Sequence, residues 1–152
     1  MSLNWISKFA ASLGTSEEIV PEPDIAKLYA SLMLEVAQAD SNESTTEQEA
    51  IASRLGNHFD LEHNDSAALI NAARDDLNSA TGLYEFTRQL NERLSPAERI
   101  SLVQSLWQVA LADDHIDKYE EAAIRKIADL LYVAHGDFIQ AKHRAQDKTE
   151  PA

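Results

Sequence analysis

Two stretches, one in each half of the chain, constrain its fold more than any other feature. Val36-Ala37-Gln38-Ala39-Asp40 and Val109-Ala110-Leu111-Ala112-Asp113 each close a segment that is apolar around most of its circumference. Leu28, Tyr29, Leu32, Met33 and Leu34 precede the first; Ile100, Leu102, Val103, Leu106 and Trp107 precede the second. Apolar residues on nearly every side of a helical repeat mark a helix buried at the centre of a fold. The offset that takes Val36 to Val109 also takes Glu47 to Glu120 and Ile51 to Ile124. Each half reads as buried helix, Ala-X-Ala-Asp, short polar loop, then a helix with Glu in its first turn. A duplicated helix-loop-helix unit with a pseudo-two-fold arrangement explains the pattern.

Helical periodicity continues elsewhere, and no segment alternates as a strand does. Leu3, Ile6, Phe9, Ala10 and Leu13 predict a short helix stopped at Gly14. Residues 17–24, with Pro21 and Pro23, read as a connector, and the first buried helix is expected from Asp24. An amphipathic helix over 44–55 precedes a loop over 56–64. Asp65 or Ser66 is placed to cap a helix through Leu77, and another spans 83–94. Ser95-Pro96-Ala97-Glu98 is a helix-start signature: Ser95 caps, Pro96 loses nothing at the first helical position, and Glu98 reaches back. Helices over 117–132 and 138–144 complete an all-α single domain of about seven helices. The expected division is an N-terminal helix and connector over 1–23, the helical domain over 24–146, and a disordered polar tail over 147–152.

Charge and composition exclude several functions. Of 152 residues, 26 are acidic and 13 are Lys or Arg, a net charge of −13, and none is Cys. Disulfide scaffolds, thiolate zinc sites, iron–sulfur clusters and a cysteine nucleophile are therefore ruled out. Nucleic acid and anionic membranes are poor partners for such a chain, because both are bound through Lys and Arg. Cations and basic proteins are favoured. No secretory segment or membrane span is evident, so a cytoplasmic location is expected. The Trp5, Ile6 and Phe9 face is expected to dock on the protein's own core or on a second copy of the chain. Serine-nucleophile motifs, phosphate-binding glycine loops and dinucleotide fingerprints are absent, and no acid/base pair suggests an enzyme.

Chemistry concentrates in two acidic loops. The first reads Asp40-Ser41-Asn42-Glu43-Ser44-Thr45-Thr46-Glu47, the second Asp113-Asp114-His115-Ile116-Asp117-Lys118-Tyr119-Glu120-Glu121. Hard divalent cations need several oxygens converging at roughly 2.0–2.6 Å, which a loop between angled helices can supply. The same residues also fit a plainer role. Ser44 with Glu47, and Asp117 with Glu120, have the spacing of a capping box. Asp40 and Asp113 need compensation, because each carboxylate stands at the negative end of a helix. Neither loop is an EF-hand: counting from Asp113, position 6 is Lys118 and position 12 is Ile124. His58, His63, His115, His135 and His143 lack the spacing of a helical metal motif and read as surface residues; Trp107 reads as core.

The run from Leu106 to Glu121 resembles the VAxADGxIdxxE signature of TerB-like proteins, the tellurite-resistance B family. Leu83-Tyr84-Glu85-Phe86-Thr87-Arg88-Gln89-Leu90-Asn91, Ile127-Ala128-Asp129-Leu130-Leu131 and Val36-Ala37-Gln38-Ala39-Asp40 also look like that family, over roughly 25–144. The resemblance implies about seven helices with internal two-fold similarity and a divalent cation, calcium first, with magnesium, manganese or zinc as alternatives. It implies a role in tellurite resistance, metal sensing or stress response through protein partners, some membrane-associated, and no catalytic activity. The family's acidic positions fall on Asp113, Asp117 and Glu120 in the second half and on Asp40 and Glu47 in the first. The chain departs from the family where Asp-Gly is usual, having Ser41 and Asp114 at the Gly positions. The alternative expectation is an acidic protein-interaction module with no specific metal site.

Overall fold

A computed structural model describes residues 22–39, 45–77, 82–112 and 116–147. The expected helix over 3–13, Asp40 and Asp113 lie outside them. Within the described residues the chain forms seven helices and no strand. They are α1 (Glu22–Ala37), α2 (Thr45–Phe59), α3 (His63–Leu77), α4 (Leu83–Arg93), α5 (Pro96–Ala110), α6 (Lys118–Leu130) and α7 (His135–Gln146). None is long and apolar enough to cross a membrane.

Local chemistry explains where the helices start and stop. At α5, Glu98 N–H donates to Ser95 Oγ at 3.1 Å and Ser95 N–H to Glu98 Oε1 at 2.8 Å. This is the capping box expected from the sequence, with Pro96 just inside it. Four boundaries move, one of them the start of α7, which lies at His135 rather than at Phe138. The expected connector ends earlier, since α1 begins at Glu22 and takes Pro23 into its first turn, where a missing N–H breaks no helical bond. The expected loop over 56–64 shrinks, because α2 runs on through Gly56 to Phe59. Asp60 then stops it in the left-handed conformation (φ 58°), and Leu61 N–H donates back to Gly56 O at 3.0 Å. Gly56 suits that closure: a Cβ there would stand 3.2 Å from the Leu61 carbonyl oxygen. Finally, α3 starts at His63, which leaves Asp65 in its first turn rather than ahead of it. The end of α6 repeats the α2 stop, with Tyr132 left-handed (φ 60°) and Val133 N–H donating to Ala128 O at 2.9 Å.

The offset from Val36 to Val109 carries the start of α1 almost onto that of α5, and the start of α2 onto that of α6. It also brings the start of α3 next to that of α7. The packing follows suit. α1 packs most extensively on α3 and α5 on α7; α2 packs on α1 and α5, α6 on α5 and α1, but α2 also packs on α3 as extensively as on α1, which α6 does not match on α7. The two central helices also pack on each other, and α4 lies against α1 and α6. Leu32, Leu34, Ile51, Leu106, Ile124 and Ile127 are fully buried in one continuous core. Each such side chain contributes roughly 1.5–3 kcal/mol through removal from water. Trp107 is core, as expected: its ring meets Phe138 at 5.3 Å, with the Lys142 ammonium 5.2 Å from its centroid.

Candidate functional site

Every helix from α2 to α7 carries an acid at its third residue: Glu47, Asp65, Glu85, Glu98, Glu120 and Asp137. A carboxylate there meets free backbone N–H groups and the positive end of the helix dipole. Acidity at a helix start is thus a general device of this chain, and Glu47 or Glu120 cannot be singled out by type alone. Burial separates them. Glu98 is exposed and Glu85 half-buried, whereas Glu47 is 2% and Glu120 3% exposed, with Asp65 close behind at 6%. Glu85 finds its partner on its own helix, where the Arg88 guanidinium bonds it (Nε to Oε1, 3.0 Å) and holds its carboxyl below the usual range.

The α6 start is the better defined of the two acidic corners. Asp117 is the N-cap: its Oδ2 accepts from Tyr119 N–H at 3.1 Å. Glu120 reaches back, its Oε1 accepting from Asp117 N–H at 3.4 Å. The capping reading of these two residues is therefore met. Asp117 is half-buried, so the pair runs from the rim of the fold into its interior within one helical turn. Glu47 holds the corresponding position on α2 and makes its own polar contacts. Taking an ionised carboxylate out of water costs several kcal/mol unless hydrogen bonds or opposite charge offset it.

Of the acids expected to gather into a site, Asp117 and Glu120 stand together and Glu47 stands on another helix. Among the described residues no three His, Asp or Glu side chains converge as a metal-binding group. Sequence reasoning finds Asp65 only as a possible cap and misses its burial. The available signal is Leu69 and Ile70, which follow it on α3, are themselves nearly buried, and place it one turn before an inward face. His58, His63, His135 and His143 are exposed, as expected of surface histidines.

Neither a curated protein nor a solved structure matches this chain. A family model does: that of tellurite resistance protein TerB, over residues 26–143, from the first turn of α1 to near the end of α7. With that match spanning most of an all-helical fold, the chain belongs to the TerB family.

Proposed function

We propose that this TerB-family domain is non-catalytic and binds a divalent cation at the start of α6, through Asp113, Asp117 and Glu120. Asp40 and Glu47 form the corresponding, weaker set at the start of α2. The observation that carries this reading is the burial of Glu47 and Glu120, 2% and 3% exposed at matching positions of the two halves. Two acidic side chains held at matching places, each beside an acidic loop, are positioned to add oxygens to a cation held by the loop carboxylates. An all-oxygen donor set suits calcium first, then magnesium or manganese, with zinc less well matched. A bound cation would supply charge neutralisation. Glu120 and Asp117 would then hold the α5–α6 corner at a set angle and alter the surface offered to protein partners. A cytoplasmic role in metal sensing, or in a tellurite or stress response, is consistent with that behaviour.

Calorimetric titration of chelator-stripped protein with calcium, magnesium, manganese and zinc tests the proposal. Saturable binding near one equivalent per site is expected, weakened at least about tenfold by Asp113→Asn and by Glu120→Gln. Diffuse, salt-screened attraction that neither substitution changes would overturn it. A second reading draws on the intact capping box, which accounts for Asp117 and Glu120 as helix-start residues. In that reading the acidic face docks a basic protein; the binding weakens with salt and ignores chelator.

A further inference from the structure

A groove runs between α2 and α5, polar at one end. Arg54 bridges it, one guanidinium N–H donating to Gln108 Oε1 at 2.8 Å. On one side of the bridge lies a cavity of about 250 Å³, lined by Arg54, Asn57, His58, Gln104 and Ser105 among others, every one of them polar. On the other side a second cavity of about 260 Å³ shares Arg54 and Gln108 but is otherwise mostly apolar, reaching Leu111 and Ala112 beside the second acidic loop; the polar cavity alone is the candidate site.

The lining is not imposed by its place in the fold. In the other half, the positions matching Arg54, Asn57 and His58 hold Ile127, Leu130 and Leu131, and the position matching Ser105 holds Leu32. There α4 packs against α1 and α6, and Leu32, Ile127 and Leu131 are fully buried. The α2–α5 groove instead gathers polar groups: a guanidinium, three amides, two hydroxyls and an imidazole. The His58 ring is held by stacking on Tyr29 at 5.0 Å and by an edge contact with Phe59 at 4.6 Å.

Arg54 is the telling residue. Acids outnumber Lys and Arg two to one in this chain, 26 to 13. Arg88 and Arg125 each pair with a carboxylate of their own helix, whereas Arg54 pairs with none among the described residues and is oriented by a neutral amide. A guanidinium so held keeps donor N–H groups available in a fork that matches a carboxylate or a phosphate. At about 250 Å³ the cavity is smaller than a typical pocket for a drug-sized ligand and suits a small anion.

We propose that the α2–α5 groove binds a small oxyanion, a carboxylate or phosphate group, with Arg54 as its forked partner and Asn57, His58, Gln104 and Ser105 as surrounding donors. The site is independent of the cation proposed above, so chelator-treated full-length protein is the sample for its test. Amide and Arg Nε resonances would be followed by NMR during titration with inorganic phosphate and, separately, with acetate, at constant ionic strength set by chloride. Saturable shifts at Arg54, His58, Gln104 and Gln108 are expected with at least one anion, and which one responds identifies the group. The response should be lost in Arg54→Gln and retained in Arg125→Gln, with both variants showing the wild-type spectrum elsewhere. Shifts that stay linear and equal to those from chloride would overturn the proposal, as would a saturable response that persists in Arg54→Gln.

Discussion

α1 and α5 occupy corresponding places at the centre of the fold but meet water differently. In α1, Leu28, Tyr29, Leu32 and Met33 are all buried; α4 packs on this helix and has no counterpart on α5 among the described residues, while Tyr29 lies against His58 and Phe59 of α2. In α5 the matches of Tyr29 and Met33 are the buried Leu102 and Leu106, but those of Leu28 and Leu32 are Ser101 and Ser105, exposed and half-buried, with Gln104 and Gln108 half-buried on the same side. The sequence pattern marks both helices as apolar around most of their circumference, which holds more fully for α1 than for α5. The difference teaches that a central helix need be apolar only where a neighbour covers it. The fourth helix supplies that cover for one half among the described residues.

The sharpest way to break this comparison is truncation at matched positions. Leu32→Ala should cost about 2–5 kcal/mol in denaturant unfolding, through lost burial and a cavity under α4. Ser105→Ala, its counterpart, should stay within about 0.5 kcal/mol. Equal costs would mean that the α2–α5 face is covered as fully as the α1–α6 face.

Alkaline unfolding should also separate the two helices. Burial, with the Glu98 carboxylate adding to it, pushes the Tyr29 phenol up to about 12. The fold favours the neutral phenol, so the stability linked to it is complete below pH 10 and drains away as pH climbs from 10 through about 12. Roughly 2–3 kcal/mol is at stake, read as the slope of unfolding free energy against pH. Tyr29→Phe should flatten that slope. Leu102, the matching residue on α5, has nothing to ionise.

Smaller effects concern helix ends. Asp117→Ala in cation-free protein should cost about 1 kcal/mol, close to the cost of Ser95→Ala at the other capping box. If calcium then stabilises wild-type protein but not Asp117→Ala, the residue is more than a cap. Smallest is relief of the left-handed stops. Tyr132, 80% exposed, gives up little packing, so Tyr132→Gly should raise the thermal midpoint by the equivalent of roughly 0.5–1 kcal/mol. Asp60→Gly should gain less, because Asp tolerates that conformation better.

Much of the fold was legible because helices announce themselves locally. Apolar spacing through α1 and α5, the Ser95-Pro96-Ala97-Glu98 start and the Asp117–Glu120 start all rest on contacts within a turn or two. Boundaries failed where a local signal has two meanings. Pro23 reads as a breaker yet fits a first turn, and Gly56 reads as a stop yet sits one turn inside α2, with Asp60 making the stop. The acidic corners were legible as residue types, but the third-residue acid recurs at six helix starts. Burial distinguishes Glu47, Asp65 and Glu120 from the rest, and burial depends on residues distant in sequence.

By itself, then, the sequence determined the helical class, the family and the apolar character of the central pair, since all of these follow from spacing and local hydrogen bonding. Only the tertiary structure decided which acids lose their water, which face α4 covers and where Arg54 finds Gln108. Each of these depends on how close two segments far apart in the chain approach, and spacing along one helix carries no record of that distance.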